Sequence, residues 1–239
     1  MTALPPVVIL CGGRGTRLQE HTIDLPKPLV EIGGQPIVWH VIQLHVVQGA
    51  RDFVLAGGYK IDHLQRFASE TDLPPGVRVR FVDTGLDTNT GGRVHRLRDD
   101  VGAGTFMVTY ADGVADIDLR ALLERHHAHA GAATVTVVRP ELQFGVALIG
   151  DGDVVTGFHE KPRADHWING GFFCFEPAVF DYLSEDSVLE RDPLERLAAG
   201  GRLHGYRHTG FWEYMDTYKD AVQLNDLWAQ TRPPWKVWA

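Results

Sequence analysis

Cysteine is nearly absent: Cys11 and Cys174 are the only two in 239 residues and stand far apart. A disulfide framework is therefore excluded as the source of stability, no cysteine cluster can bind a metal, and a reducing, cytoplasmic setting is expected. Positive charge is also in short supply. The 23 Lys and Arg face 31 Asp and Glu, a formal charge of −8 with His neutral, whereas nucleic-acid binding needs clustered cations that release counterions. Small partners, including anions held locally, remain open. No apolar run approaches the ~18 residues of a membrane span, and Met1-Thr2-Ala3-Leu4-Pro5-Pro6 carries no basic stretch before its apolar one; no membrane partner is expected. Repeats, low-complexity tracts and Ser/Gly linkers are missing too. One domain over 1–239 is the expectation, with roughly 70–75% of the unfolded surface buried on folding and a change of rhythm near Pro140 that separates about 1–139 from about 140–239.

What is present is ordinary globular material, 44% hydrophobic and 23% charged, which disfavours disorder. Val7–Leu10 is a continuous apolar run of the kind buried on both faces of a parallel sheet. Further strands are predicted at Asp52–Ala56, Val77–Val82, Phe106–Tyr110 and Ala133–Val138, with helical periodicity over Gln35–Val47 and Asp118–Ala130. Pro36 suits a first helical turn and Gly49 a helix stop. This alternation predicts an α/β, Rossmann-like fold: a mixed, mainly parallel sheet flanked by helices, with a ligand crevice at the carboxyl ends of the strands. After Pro140, shorter strands at Val146–Ile149, Val154–His159, Phe172–Phe175 and Leu203–Tyr206 predict a smaller β subregion. Asp192 and Thr217 read as helix N-caps, the latter opening a helix over Tyr218–Gln230.

The first strand feeds Gly12-Gly13-Arg14-Gly15-Thr16-Arg17. Small residues there let backbone N–H groups approach an anion, and Arg17 adds permanent charge. Glycine turns after strands are common, so the cation is what favours a polyphosphate cradle. The dinucleotide pattern fails for want of its third glycine, and no Gly-Lys-Ser/Thr completes a Walker loop. Ten residues beyond Arg17, Pro26-Lys27-Pro28 restrains a second cation between two prolines.

Asp112 emerges from the strand Phe106–Tyr110 at the mouth of the expected crevice, where a hard oxygen ligand suits Mg²⁺; Asp-Gly is equally ordinary turn chemistry. Asp216, just before Thr217, either favours a helix start or completes a metal site, and spacing alone does not bring it to Asp112. Glu160-Lys161-Pro162 and Trp167-Ile168-Asn169-Gly170-Gly171 offer a carboxylate, an ammonium, an amide and close backbone approach, although a solvated lysine and a β-bulge would explain them as well. His126-His127-Ala128-His129 lacks the accompanying ligands of a zinc site. The tryptophans near the C-terminus suit packing better than base stacking.

Taken in order, these segments resemble the sugar-phosphate nucleotidyltransferase family, and within it the cytidylyltransferases. The resemblance adds Val30-Glu31-Ile32-Gly33-Gly34, Val82-Asp83-Thr84-Gly85, Thr90-Gly91-Gly92-Arg93, Met215-Asp216-Thr217 and Pro234-Trp235-Lys236, and so covers nearly the whole chain. It implies that Arg17 and Lys27 grip the triphosphate of CTP or another NTP, with Gly12, Gly13, Gly15, Thr16 and Thr90-Gly91-Gly92-Arg93 around the nucleotide. Asp112 and Asp216 would hold Mg²⁺, Lys161 would contact the phosphate of a sugar-1-phosphate, and Glu160, Asn169 and Gly170 would face the sugar. The parts before and after Pro140 would be nucleotide-binding and sugar-binding, and a homo-oligomer is among the implications. Three features depart from the pattern: the stretch from Phe67 to Phe81 is short, and Cys11 and Ala111 replace the more usual Ala and Gly.

The implied chemistry is attack of α-D-glucose-1-phosphate or a related sugar-1-phosphate on the α-phosphorus of CTP, giving a CDP-sugar and pyrophosphate. A phosphate monoester with its second pKa near ~6 needs no general base at neutral pH; the demand is for cations and alignment. A uridylyl- or thymidylyltransferase is the nearest rival. A silent nucleotide-sugar sensor is the rival of a different class, and one with less use for so complete a set of charges.

Overall fold

The computed structural model describes residues 3–13, 15, 18 and 25–238. Strand β1 (Val7–Leu10) is followed, beyond a 3-10 turn at Lys27–Leu29, by the two-residue strands β2 (Glu31–Ile32) and β3 (Gln35–Pro36), then α1 (Ile37–Val47), β4 (Asp52–Gly57), α2 (Ile61–Glu70), β5 (Arg78–Asp83) and α3 (Thr90–Arg96). Next come β6 (Phe106–Tyr110), β7 (Gly113–Ala115), α4 (Leu119–His127) and β8 (Ala133–Val138). The chain continues through β9 (Val146–Ile149), β10 (Val155–His159), β11 (Ile168–Phe175), α5 (Asp192–Ala199), β12 (Leu203–Arg207), β13 (Trp212–Tyr214) and α6 (Tyr218–Trp228).

Seven strands form one mixed sheet in the order β12–β8–β11–β6–β1–β4–β5. β1 lies parallel between β4 and β6, the pairs β4–β5 and β8–β12 are parallel, and only β11 runs against its neighbours. All four β1 side chains are buried because both sheet faces are covered. Val7 and Ile9 join one core with Val41 and Leu44 of α1 and Leu122 of α4. Val8 and Leu10 join the opposite core with Val94 of α3 and Leu197 of α5, as the two-residue period of a strand requires.

A third cluster ties the end of the chain to the segment after Lys27. Ile32, Ile37, Met215, Leu224 and Trp235 pack together, and Asn225 of α6 accepts the Gly33 N–H at 2.9 Å. Gly33 has φ +61°, and a Cβ there would fall 1.9 Å from the Trp228 ring, so the turn needs glycine on both counts. His40 sits inside this aromatic cluster. Its Nε2 donates to the Ile32 carbonyl (2.8 Å), Trp235 Nε1 donates to its Nδ1 (3.4 Å), and burial pushes its pKa down to about 4.

Some expectations shift. Pro36 is the N-cap of α1 rather than part of its first turn, because Gln35–Pro36 pairs with Glu31–Ile32 around the Gly33-Gly34 turn. Asp192 is not the cap of α5: Arg191 occupies that place, and the Asp192 carboxylate turns to Arg196 at 3.3 Å. Thr217 does cap α6, in a reciprocal pair with Asp220. The short stretch from Phe67 to Phe81 is the end of α2, a connection at 71–77 and the first four residues of β5. His126 Nδ1 and His129 Nε2 both meet Thr134 Oγ1, at 2.9 and 2.8 Å. No helix among the described residues is long and apolar enough to cross a membrane.

Candidate functional site

At the carboxyl end of β1 a cavity of about 400 Å³ opens between the glycine loop, Lys27, α3 and Asp112. The C-terminal ends of parallel strands expose loops rather than ladder partners, so this is where a site is expected in such a sheet. Lys27 follows Pro26, whose extended backbone turns into the 3-10 segment with Pro28 and Leu29 buried; the stem is fixed and the ammonium points into the cavity. It donates to Asp112 Oδ2 at 2.5 Å and to Asp216 Oδ1 at 2.8 Å. Burial alone would lower the lysine pKa, but Asp112 and then Asp216 outweigh it and hold the ammonium above its ordinary value. The two aspartates, 104 positions apart, therefore converge on one point. Asp112 is anchored through its carbonyl, which accepts the Met215 N–H at 2.9 Å. Asp220, not Asp216, receives the amides that open α6, so helix capping does not claim the Asp216 carboxylate.

The carboxylate oxygens of Asp112 and Asp216 are hard donors that already share one cation, and Mg²⁺ is bound through one or two carboxylates plus substrate phosphates. The pair fits that ion. Gly12 and Gly13 line the same cavity, as does Gly15 with φ +62°. Arg14, Thr16 and Arg17, the expected loop cation among them, lie outside the described residues.

Arg93 was expected around the nucleotide, and it does line the cavity, but its guanidinium is spent on the protein. Nη1 donates to the Gly57 carbonyl, Thr84 Oγ1 and the Gly85 carbonyl at 2.8, 2.7 and 2.8 Å, and Nη2 to the Gly12 and Leu86 carbonyls at 3.0 and 3.3 Å. One buried cation thus knits together the loops after β1, β4 and β5. Burial lowers its pKa. Gly12 must lack a side chain because a Cβ would meet Arg93 Cζ at 2.0 Å. Thr90 lines the cavity, whereas Gly91 and Gly92 stand behind the wall: a Cβ on either would strike the backbone of the 185–189 loop. Their missing side chains serve helix–loop packing.

A second cavity of about 530 Å³ adjoins the first, sharing Tyr110, Asp112 and Asp216 with it. Asn169, Gly170, Glu190 and Trp212 form its far wall. The strand register shifts between Asn169 and Phe173, and Gly171 and Phe172 have φ of +73° and +47°. The Gly170-Gly171 pair is thus a bulge, and the bulge aims Asn169 at the cavity. Trp212 Nε1 donates to the Gly170 carbonyl at 2.8 Å. Burial, then the Glu190 charge, raises the Tyr110 pKa. Glu160 and Lys161 lie exposed beyond β10 and line neither cavity. Tyr110 and Glu190 were missed from sequence: a tyrosine closing the strand before Asp112 was a usable signal, while nothing near Glu190 marked it.

The chain is 41% identical over 252 aligned positions to a probable glucose-1-phosphate cytidylyltransferase of Bacillus subtilis, covering 97% of this chain and 99% of that one. It is also 41% identical to the glucose-1-phosphate cytidylyltransferase of Salmonella typhimurium, with coverage of 97% and 98%. Among solved structures, a UDP-glucose pyrophosphorylase from Acinetobacter baumanii superposes with a TM-score of 0.75 at 18% identity, covering 97% of this chain and 95% of that one, and so shares the fold. The family profile for nucleotidyl transferases matches residues 6–225. The chain belongs to the nucleotidyl transferase family.

Proposed function

We propose that the chain is a glucose-1-phosphate cytidylyltransferase, joining CTP to α-D-glucose-1-phosphate with release of pyrophosphate. The observation that carries the reading is the Lys27–Asp112–Asp216 cluster at the shared mouth of two adjoining cavities. The two relatives at 41% identity support the choice of substrates.

The nucleotide enters the first cavity along Gly12, Gly13 and Gly15, with its triphosphate toward Lys27; Arg17 is assigned to the same triphosphate by family resemblance. The sugar phosphate enters the second, its hydroxyls facing Asn169 and Gly170. Its phosphate oxygen attacks the α-phosphorus in line and pyrophosphate departs. No side chain needs to remove a proton, because the attacking phosphate is mostly dianionic at neutral pH. Lys27, held protonated by its aspartates, lowers the cost of bringing two anions together and stabilises charge on the leaving group. Asp112 and Asp216 would hold Mg²⁺, which supplies a Lewis acid and template when bound. Lys161 and Glu160, which follow β10 and line neither cavity, are assigned to the sugar-phosphate side by family resemblance.

Pyrophosphate release measured with CTP, UTP, dTTP, ATP and GTP against several sugar-1-phosphates tests the reading. CTP with glucose-1-phosphate is expected to give at least a tenfold higher kcat/KM than any other pair, about 1.4 kcal/mol of discrimination. Preference for UTP or dTTP would move the chain to another branch of the family, and binding without turnover would make it a sensor.

A further inference from the structure

The two cavities are joined by a chain of hydrogen bonds that meets on one carboxylate. From the nucleotide side, Leu189 N–H donates to Thr90 Oγ1 (2.9 Å), and the Thr90 hydroxyl donates to Glu190 Oε2 (2.7 Å). From the sugar side, Gly171 N–H donates to Asn169 Oδ1 (2.9 Å), Asn169 Nδ2 donates to the Tyr110 oxygen (3.1 Å), and the Tyr110 hydroxyl donates to Glu190 Oε1 (2.5 Å). Thr90 lines the first cavity, Asn169 and Glu190 the second, and Tyr110 both. The loop that carries Glu190 is bound to the start of α3 as well, through Gly92 N–H to the Ser187 carbonyl (3.0 Å) and Asn89 Nδ2 to the Asp186 carbonyl (3.2 Å).

We propose that Glu190 is a positioning residue that couples the two cavities, so that a nucleotide in the first orders Asn169 for the sugar phosphate in the second. The inference rests on the nucleotide and sugar-phosphate reading of the two cavities. The donor directions favour a carboxylate. Both arms arrive as hydroxyl donors, and an ionised carboxylate offers an acceptor oxygen to each, whereas a glutamine presents an N–H₂ to one of them. A ligand that fixes Thr90 therefore fixes Glu190, and Glu190 in turn fixes the phenol on which the Asn169 amide rests. Coupling of this kind changes the affinity of one ligand in the presence of the other, and by linkage the effect is reciprocal.

The test is calorimetric titration of glucose-1-phosphate into the full-length protein with and without α,β-methylene-CTP, a CTP analogue that does not react. In the wild type the analogue is expected to tighten glucose-1-phosphate binding about tenfold, within the usual range of such couplings. In Glu190→Gln the factor falls to twofold or less, whatever the change in either probe's own affinity, while the melting temperature stays within a few degrees. Thr90→Val and Tyr110→Phe cut one arm each. A single chain predicts that either change, or both together, removes the same coupling, a non-additivity that independent packing roles do not produce. Wild-type coupling that persists in Glu190→Gln, or additive losses in the two arms, would overturn this proposal alone. Failure of the wild type to bind either probe would overturn the reading of the site and this proposal with it.

Discussion

The two ends of the seven-stranded sheet both gather titratable side chains, and they use them in opposite ways. At the carboxyl end, Lys27 faces Asp112 and Asp216 across an open cavity. At the amino end, His126, His129 and His204 crowd together, with the His129 and His204 rings stacked at 3.6 Å. His126 meets Glu176 at 3.0 Å, and Thr105 donates to the same carboxylate oxygen at 2.7 Å. The difference lies in access: charges of opposite sign at the rim of a cavity can exchange partners with a ligand, whereas His129, stacked on His204 and bonded with His126 to Thr134, serves packing. A cluster of titratable residues thus indicates a site only where the fold leaves it a free side.

The largest effect that tests this contrast is catalytic. Lys27→Met and Asp112→Asn are each expected to lower kcat for pyrophosphate release by about 10²–10³-fold, while His126→Gln stays within about twofold; equal losses at the two ends would break the comparison. Next is Arg93→Met, which leaves several buried carbonyls without a donor and should destabilise the fold by about 3 kcal/mol or more, seen as a lower urea midpoint. It would show that a cavity-lining residue can be structural.

The third effect is a pH dependence. The His129 pKa is pushed down to about 4, first by desolvation and then by His204 and His126, and burial takes His40 and His45 to about 4 as well. A pKa lower in the folded than in the unfolded chain means that the unfolded state binds more protons, so stability is full above about 6.5 and is lost as pH falls toward 4. Urea midpoints between pH 4.5 and 7.5 should fall in that direction, and less steeply in His129→Asn. Smallest is His204→Ala, which removes one ring of the stack at a cost of about 1 kcal/mol with kcat unchanged. A fall in kcat there would tie the amino end to the chemistry.

Much of this was visible in the residues. The buried runs Val7–Leu10 and Phe106–Tyr110 declared a sheet covered on both faces, and Pro26-Lys27-Pro28 declared a restrained cation, because these properties are local. Asn169 was legible as a polar group before a double glycine. Glu190 was not, since its two partners lie 80 and 100 positions away and a lone glutamate in a polar loop has no pattern. At Gly91 and Gly92 glycine marks close approach, and only the packed 185–189 loop shows that the protein itself comes near. Arg93 lines the cavity as expected, but its five donor contacts are invisible until the loops after β1, β4 and β5 are drawn together.

By itself, then, the order of residues determined the alternation of strands and helices, the two faces of the sheet and the types of group at its carboxyl end, since hydrophobic period, proline restraint and glycine freedom act over a few neighbours. Tertiary structure alone decided that Asp112 and Asp216 share Lys27, that Arg93 serves the loops, and that Glu190 stands between two cavities. Those meetings join segments as far as 189 positions apart, and they exist only once burial of the three apolar clusters has closed the chain upon itself.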